Sequence, residues 1–127
     1  MLRPPVERYF TVQEAKELLE EARRVADELI VARAELAERS LALRDGDRTQ
    51  LPEVKGLEAQ LSEHLDWFTQ RGIQTKGYAP LLLDFPMRHR GRVVLLCWLE
   101  NEPALAWYHD AELGFPGRRP LGHLGPP

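Results

Sequence analysis

The sequence predicts an α+β fold: a long antiparallel helical hairpin packed on a small antiparallel β-meander of three or four strands. Three observations carry that prediction. Residues 12–43 contain neither proline nor glycine and are rich in good helix formers. After Gly72 the helical period gives way to short apolar runs broken by proline and glycine. Finally, Val93–Leu99 is apolar at every position, as expected of a strand covered on both faces.

The first helix is expected over 12–44. Thr11-Val12-Gln13-Glu14 has the form of a capping box, in which the threonine oxygen and the glutamate carboxylate satisfy each other's backbone N–H groups. Ala15, Leu18, Ala22, Leu29 and Leu36 follow helical spacing, joined by Leu19, Val25, Ala26 and Ala32. Asp45-Gly46-Asp47-Arg48 reads as a loop. The second helix begins near Leu51-Pro52, carries Leu57, Leu61, Leu65 and Phe68 as its stripe, and stops at Gly72. At 1.5 Å per residue the two helices span roughly 50 and roughly 30 Å. The first turns of the longer one therefore run past its partner, and Ala15, Leu18, Leu19 and Ala22 need cover from the sheet or from another subunit.

Ile73-Gln74-Thr75 suits a short strand, and Leu81–Phe85 a second one ended by Pro86. Arg88-His89-Arg90-Gly91 reads as a turn, Val93–Leu99 as the central strand and Ala104–His109 as the last. Asn101 suits a left-handed turn position. Alternation puts Val93, Leu95, Cys97 and Leu99 on one face of the central strand and Val94, Leu96 and Trp98 on the other. One face meets the helices; the other requires the C-terminal segment or a partner chain. The whole chain, 1–127, is expected to form a single domain: hairpin about 12–71, meander about 73–109, and an irregular segment over 110–127 with a loose tail from Gly122.

With 127 residues and a net charge of -3, the chain has the size of one domain and lacks the basic excess of a nonspecific nucleic-acid binder. Its single cysteine, Cys97, forbids an internal disulfide and points to a reducing cytoplasm. Met1–Val6 lacks the apolar core of a signal peptide, and no apolar run approaches the roughly 20 residues of a membrane helix. A soluble cytoplasmic protein is expected.

Candidate chemistry gathers late in the chain. Asp84, Glu102, His109 and Asp110 could share acid–base duty or hold a divalent metal, and His109, Glu102 and Asp84 are the candidate catalytic residues. No metal-ligand spacing supports a specific ion, and a satisfied structural role for His109 outweighs a catalytic one. Arg118 and Arg119, in the frame Gly114-Phe115-Pro116-Gly117-Arg118-Arg119-Pro120, could clamp a carboxylate or phosphate. The competing reading has one of them fasten the C-terminal segment to an internal carboxylate. Arg88-His89-Arg90-Gly91-Arg92 reads as a solvated turn, with RNA contact as the minor alternative. Cys97 reads as a buried small hydrophobe rather than a nucleophile.

The chain resembles a family of small bacterial proteins catalogued as a domain of unknown function. The resemblance rests on Phe10-Thr11, Gly72-Ile73-Gln74-Thr75-Lys76, Asp84-Phe85-Pro86, Cys97-Trp98, Asn101-Glu102-Pro103, Trp107-Tyr108-His109 and Gly114-Phe115 through Pro120. Asn101 stands where the family has a turn glycine, and Tyr108 separates Trp107 from His109. The resemblance implies a common architecture and a site around Asp84, Glu102, His109 and Arg118, but no activity or cofactor. Two functions follow as expectations: an interaction or scaffolding homodimer, or a small-molecule or metal-dependent enzyme with its pocket at the sheet edge.

Overall fold

The computed structural model describes residues 3–127; Met1 and Leu2, part of the segment read above for a signal peptide, lie outside it. Two helices precede a five-stranded antiparallel sheet: α1 (Val12–Arg44), α2 (Leu51–Thr69), β1 (Gln74–Tyr78), β2 (Leu81–His89), β3 (Arg92–Leu99), β4 (Trp107–Asp110) and β5 (Arg119–Pro120). The strands lie in the sheet in the order in which they occur in the chain.

The capping box forms as the residue types require. Thr11 Oγ1 accepts from the Glu14 N–H at 3.0 Å, and Glu14 Oε1 accepts from the Thr11 N–H at 2.8 Å. Between α1 and α2 the expected loop tightens, because Asp47 caps a single 3-10 turn over Arg48–Gln50. The helices pair in opposite senses: Arg39 donates to Gln50 near that turn, and Glu28 approaches His64 farther along.

The overhanging turns of α1 are covered by this chain's own sheet. Ala15, Leu19 and Ala22 are buried in one cluster with Leu83, Phe85, Val94, Leu96 and Trp98. Arg23 donates to the Pro103 carbonyl at 2.6 Å. Arg33 forks onto Glu100 at 2.8 and 3.1 Å and also donates to the Tyr78 carbonyl at 2.7 Å.

That fork fixes the pH response of the helix–sheet joint. The Arg33 hydrogen bond, aided by the Leu81 N–H, holds the Glu100 carboxyl below its ordinary range against the opposing effect of burial. A depressed native pKa gives stabilisation that is complete above the unfolded value, roughly 4.3, and is lost as pH falls through the native value. Glu100→Gln is expected to cost about 1–3 kcal/mol at pH 7. Its acid limb should be flatter than that of the parent, as read by urea unfolding at pH 7 and pH 3.

Four sequence expectations change here. Pro86 does not end β2; it pairs with Leu95 inside the strand. Its carbonyl accepts from the Phe10 N–H at 2.7 Å, on the side away from β3. The missing N–H of proline faces that same side, beyond the last β1 partner, Asp84, so no ladder bond is lost. His89 is no turn residue either: it ends β2, is 4% exposed and donates through Nε2 to the Leu124 carbonyl at 2.9 Å. The turn itself is Arg90-Gly91, both at positive φ, 52° and 76°, as a two-residue hairpin requires. Lastly, the C-terminal segment contributes β5, and its tail is held. Leu121 and Leu124 pack on the core, and Arg90 donates to the Pro126 carbonyl at 3.0 Å. The left-handed conformation anticipated at Asn101 is present, with φ 78°.

Candidate functional site

The register of three adjacent strands builds the site. Asp84 on β2 stands opposite Cys97 on β3, Cys97 stands opposite Trp107 on β4, and Leu95 stands opposite His109. Because side chains alternate, Asp84, Cys97, Leu95, Trp107 and His109 share the face turned away from the helices. Leu83, Phe85, Val94, Leu96 and Tyr108 take the other face and enter the helix-side core.

On the outer face Asp84, Cys97 and His109 converge. All three are buried, and the carboxylate, thiol and imidazole donor atoms lie within 4.8 Å of one another. His109 Nε2 is 3.2 Å from both Asp84 oxygens. The Cys97 thiol lies within 4.8 Å of both groups. Burial pushes the Asp84 carboxyl above its ordinary range, opposed by His109, Cys97 and the charge of Lys76. Burial, reinforced by the Asp84 charge, pushes the Cys97 thiol up to about 12, with Arg118 opposing.

The orientation of the imidazole decides what this cluster can do. His109 Nδ1 lies 2.9 Å from the Asp110 carbonyl, which can only accept, so Nδ1 carries the hydrogen. In neutral histidine Nε2 is then a lone-pair acceptor, yet it faces two carboxylate oxygens, which are acceptors too. A shared proton or a metal ion between them reconciles the contact; the proton can sit on the ring or on the Asp84 carboxyl, which burial pushes up. The arrangement does not make a nucleophilic triad. No hydrogen bond joins the Cys97 thiol to His109, and a thiol at about 12 beside a carboxylate is held protonated.

Glu102 and Arg118 do not join the cluster as ligands. Arg118 Nη2 donates to Glu102 Oε1 at 2.6 Å and to the Cys97 carbonyl at 3.3 Å, and its guanidinium lies 5.0 Å from the Trp107 ring and 4.9 Å from the Phe115 ring. Glu102 Oε1 also accepts from the Leu99 N–H at 2.7 Å. This clasp ties the C-terminal segment to the β3–β4 turn and seats Arg118 beside Cys97. Arg119 is exposed in β5, and Asp110 meets Arg92 at 3.7 Å. The three arginines of the Arg88–Arg92 segment are engaged within the fold. Arg88 lies over Tyr9 at 4.3 Å, Arg90 holds Pro126, and Arg92 faces Asp110.

Sequence reasoning named Asp84 and His109 but missed Cys97 as their companion. The signal was the alternation of β3, which put Cys97 on the face of Leu95. Without the pairing register, nothing placed Asp84 and His109 there as well.

A family profile described as "Uncharacterized conserved protein (DUF2203)" matches residues 8–121. That span takes in both helices, all five strands, the Asp84–Cys97–His109 cluster and the Arg118 clasp. Neither a curated protein nor a solved structure matches the chain.

Proposed function

The chain belongs to that family, and from this premise we propose that it is a metal-binding protein. It holds a divalent transition ion of the zinc type on Asp84, Cys97 and His109. The observation that carries the reading is the convergence of a carboxylate, a thiol and an imidazole within 4.8 Å, with the His109 ring fixed by the Asp110 carbonyl so that Nε2 faces Asp84. A metal-bound histidine is oriented in the same way, with its second ring nitrogen donating to a backbone carbonyl.

Size and charge agree with this reading. Donor atoms around a tetrahedral zinc stand roughly 3.5 Å apart, so a cluster within 4.8 Å closes on an ion with shifts of about an ångström or less. The ion's two positive charges are cancelled by one carboxylate and one thiolate, which makes a neutral unit that a buried site can hold. The metal would convert Cys97 from a high-pKa thiol into a bound thiolate. A thiolate and an imidazole beside one carboxylate favour zinc over magnesium or calcium. Three protein donors leave a coordination position for water or substrate, the pattern of catalytic rather than purely structural zinc. The reading is therefore of a small metal-dependent enzyme, working in a reducing compartment such as the cytoplasm, which keeps Cys97 free to bind.

The test is competitive zinc titration of the chelator-stripped protein. One ion per chain is expected, with affinity at least about 100-fold weaker in Cys97→Ser and His109→Gln, since each removes a ligand outright. A protein that takes up no zinc, or a His109→Gln variant that binds as well as the parent, would leave a proton shared between His109 and Asp84 as the explanation of the contact.

A second reading, assembly as a homodimer, is favoured by Val31, Leu41 and Leu51, which are 67%, 54% and 47% exposed on the helical pair. Sedimentation equilibrium decides it: a monomer mass at micromolar concentration removes it.

A further inference from the structure

A groove of about 600 Å³ runs between the N-terminal segment and the edge of the sheet. It adjoins the Asp84 cluster. Gln74, the cross-strand partner of Asp84, lines it, and so does Pro86, the next residue of β2 on the same face. One cross-strand neighbour of the buried carboxylate and one neighbour along its strand are thus walls of the groove.

Two cationic side chains reach it, Arg8 and Lys76. Lys76 is the extra residue of a bulge in β1: Thr75 pairs with Leu83 and Gly77 with Leu82, so Lys76 is left over. Bulges of this kind re-aim a side chain, and Lys76 is exposed. Arg8 crosses close to Gly72, where a Cβ would stand 2.4 Å from the Arg8 Cβ; only glycine allows that approach. The Arg8 guanidinium lies 4.1 Å over the Phe10 ring, with Glu14 at 3.9 Å. The one carboxylate lining the groove, Glu7, is engaged by the Tyr9 hydroxyl at 3.3 Å.

We infer that this groove binds a small dianionic ligand, a phosphate or dicarboxylate group, with Lys76 and Arg8 as its counter-charges, next to the metal held by Asp84. The inference rests on the metal reading above and names the ligand class of that site. Gln74 adds an amide at the end of the groove nearest Asp84.

The experiment uses the full chain. Zinc uptake is measured first, and the zinc-loaded protein is then titrated with inorganic phosphate and, separately, with malonate. Calorimetry gives the affinity, and amide shifts at Gln74, Lys76 and Arg8 give the place. The expected result is binding of at least one of the two, with shifts at those residues and an affinity about tenfold or more weaker in Lys76→Gln. Lys76 is a surface residue, so this variant retains the fold and its zinc. Phosphate alone would mark a phosphate site, and malonate alone a carboxylate site. Zinc-loaded protein that binds neither, or a Lys76→Gln variant that binds as tightly as the parent, overturns the inference while the metal centre stands. A parent chain that takes up no zinc overturns the centre itself, and with it this role for the groove.

Discussion

Zinc at a hundred times its dissociation constant is expected to raise the unfolding free energy of the protein by about 2.7 kcal/mol. Asp84→Asn should erase most of that gain. The first figure follows from mass action alone, since an ion that binds only the folded chain withdraws it from the unfolding equilibrium. The second follows from geometry. Asp84 is fully buried, lies against His109 and within 4.8 Å of the Cys97 thiol, and supplies the only carboxylate of the cluster. Asparagine keeps the shape but supplies no charge to offset the ion, so it leaves a net positive unit in a buried site. Urea unfolding of parent and variant, each with chelator and with zinc, measures all four stabilities. A zinc increment of the same size in both proteins would remove Asp84 from the metal site.

Phe85→Ala is expected to cost about 3–5 kcal/mol. The side chain is 0% exposed and meets Phe10 edge to face at 5.4 Å and 78°. Truncation loses the burial of an aromatic ring and leaves a cavity where α1, β2 and the N-terminal segment meet. The main-chain bond from Phe10 to Pro86 pins the backbone on that side, so the cavity cannot readily collapse. Chemical denaturation of the metal-free variant reads the loss directly. A cost below about 1 kcal/mol would show that the neighbours repack, because cavity costs depend on how well a site can relax.

The helices were legible in the sequence because their signals are local. The capping box at Thr11, the unbroken run behind it and the Asp-Gly loop place α1 over Val12–Arg44 in sequence and structure alike. The strands were legible in outline only. Pro86 looked like a terminator because proline lacks a donor, and whether that donor is missed depends on which side of the strand carries a partner. His89 looked like part of a solvated turn, since its cover comes from Leu124, 35 residues away. β5, with two residues, is too short to show an alternation of its own.

The site divides along the same line. The fastening role weighed for Arg118 could be read from a stiff segment that needed a tie, and the Glu102 contact supplies one. The company of Asp84, Cys97 and His109 depends on the register of β2 with β3 and of β3 with β4, and a slip by one residue would turn each side chain to the opposite face. Composition showed Cys97 as an apolar side chain in an apolar strand. Its carboxylate neighbour became visible only when the strands were paired.

The two margins of the sheet have a bearing on aggregation. On one side the final strand has two residues, one of them Pro120, and offers a visiting chain little to bond. On the other, the bulge at Lys76 interrupts the row of free backbone groups and places a charge there. Such margins resist the addition of further strands. Crowding or mild heating should therefore not draw copies of this chain into edge-to-edge ribbons while the fold persists, and any fibrils would have to start from unfolded molecules.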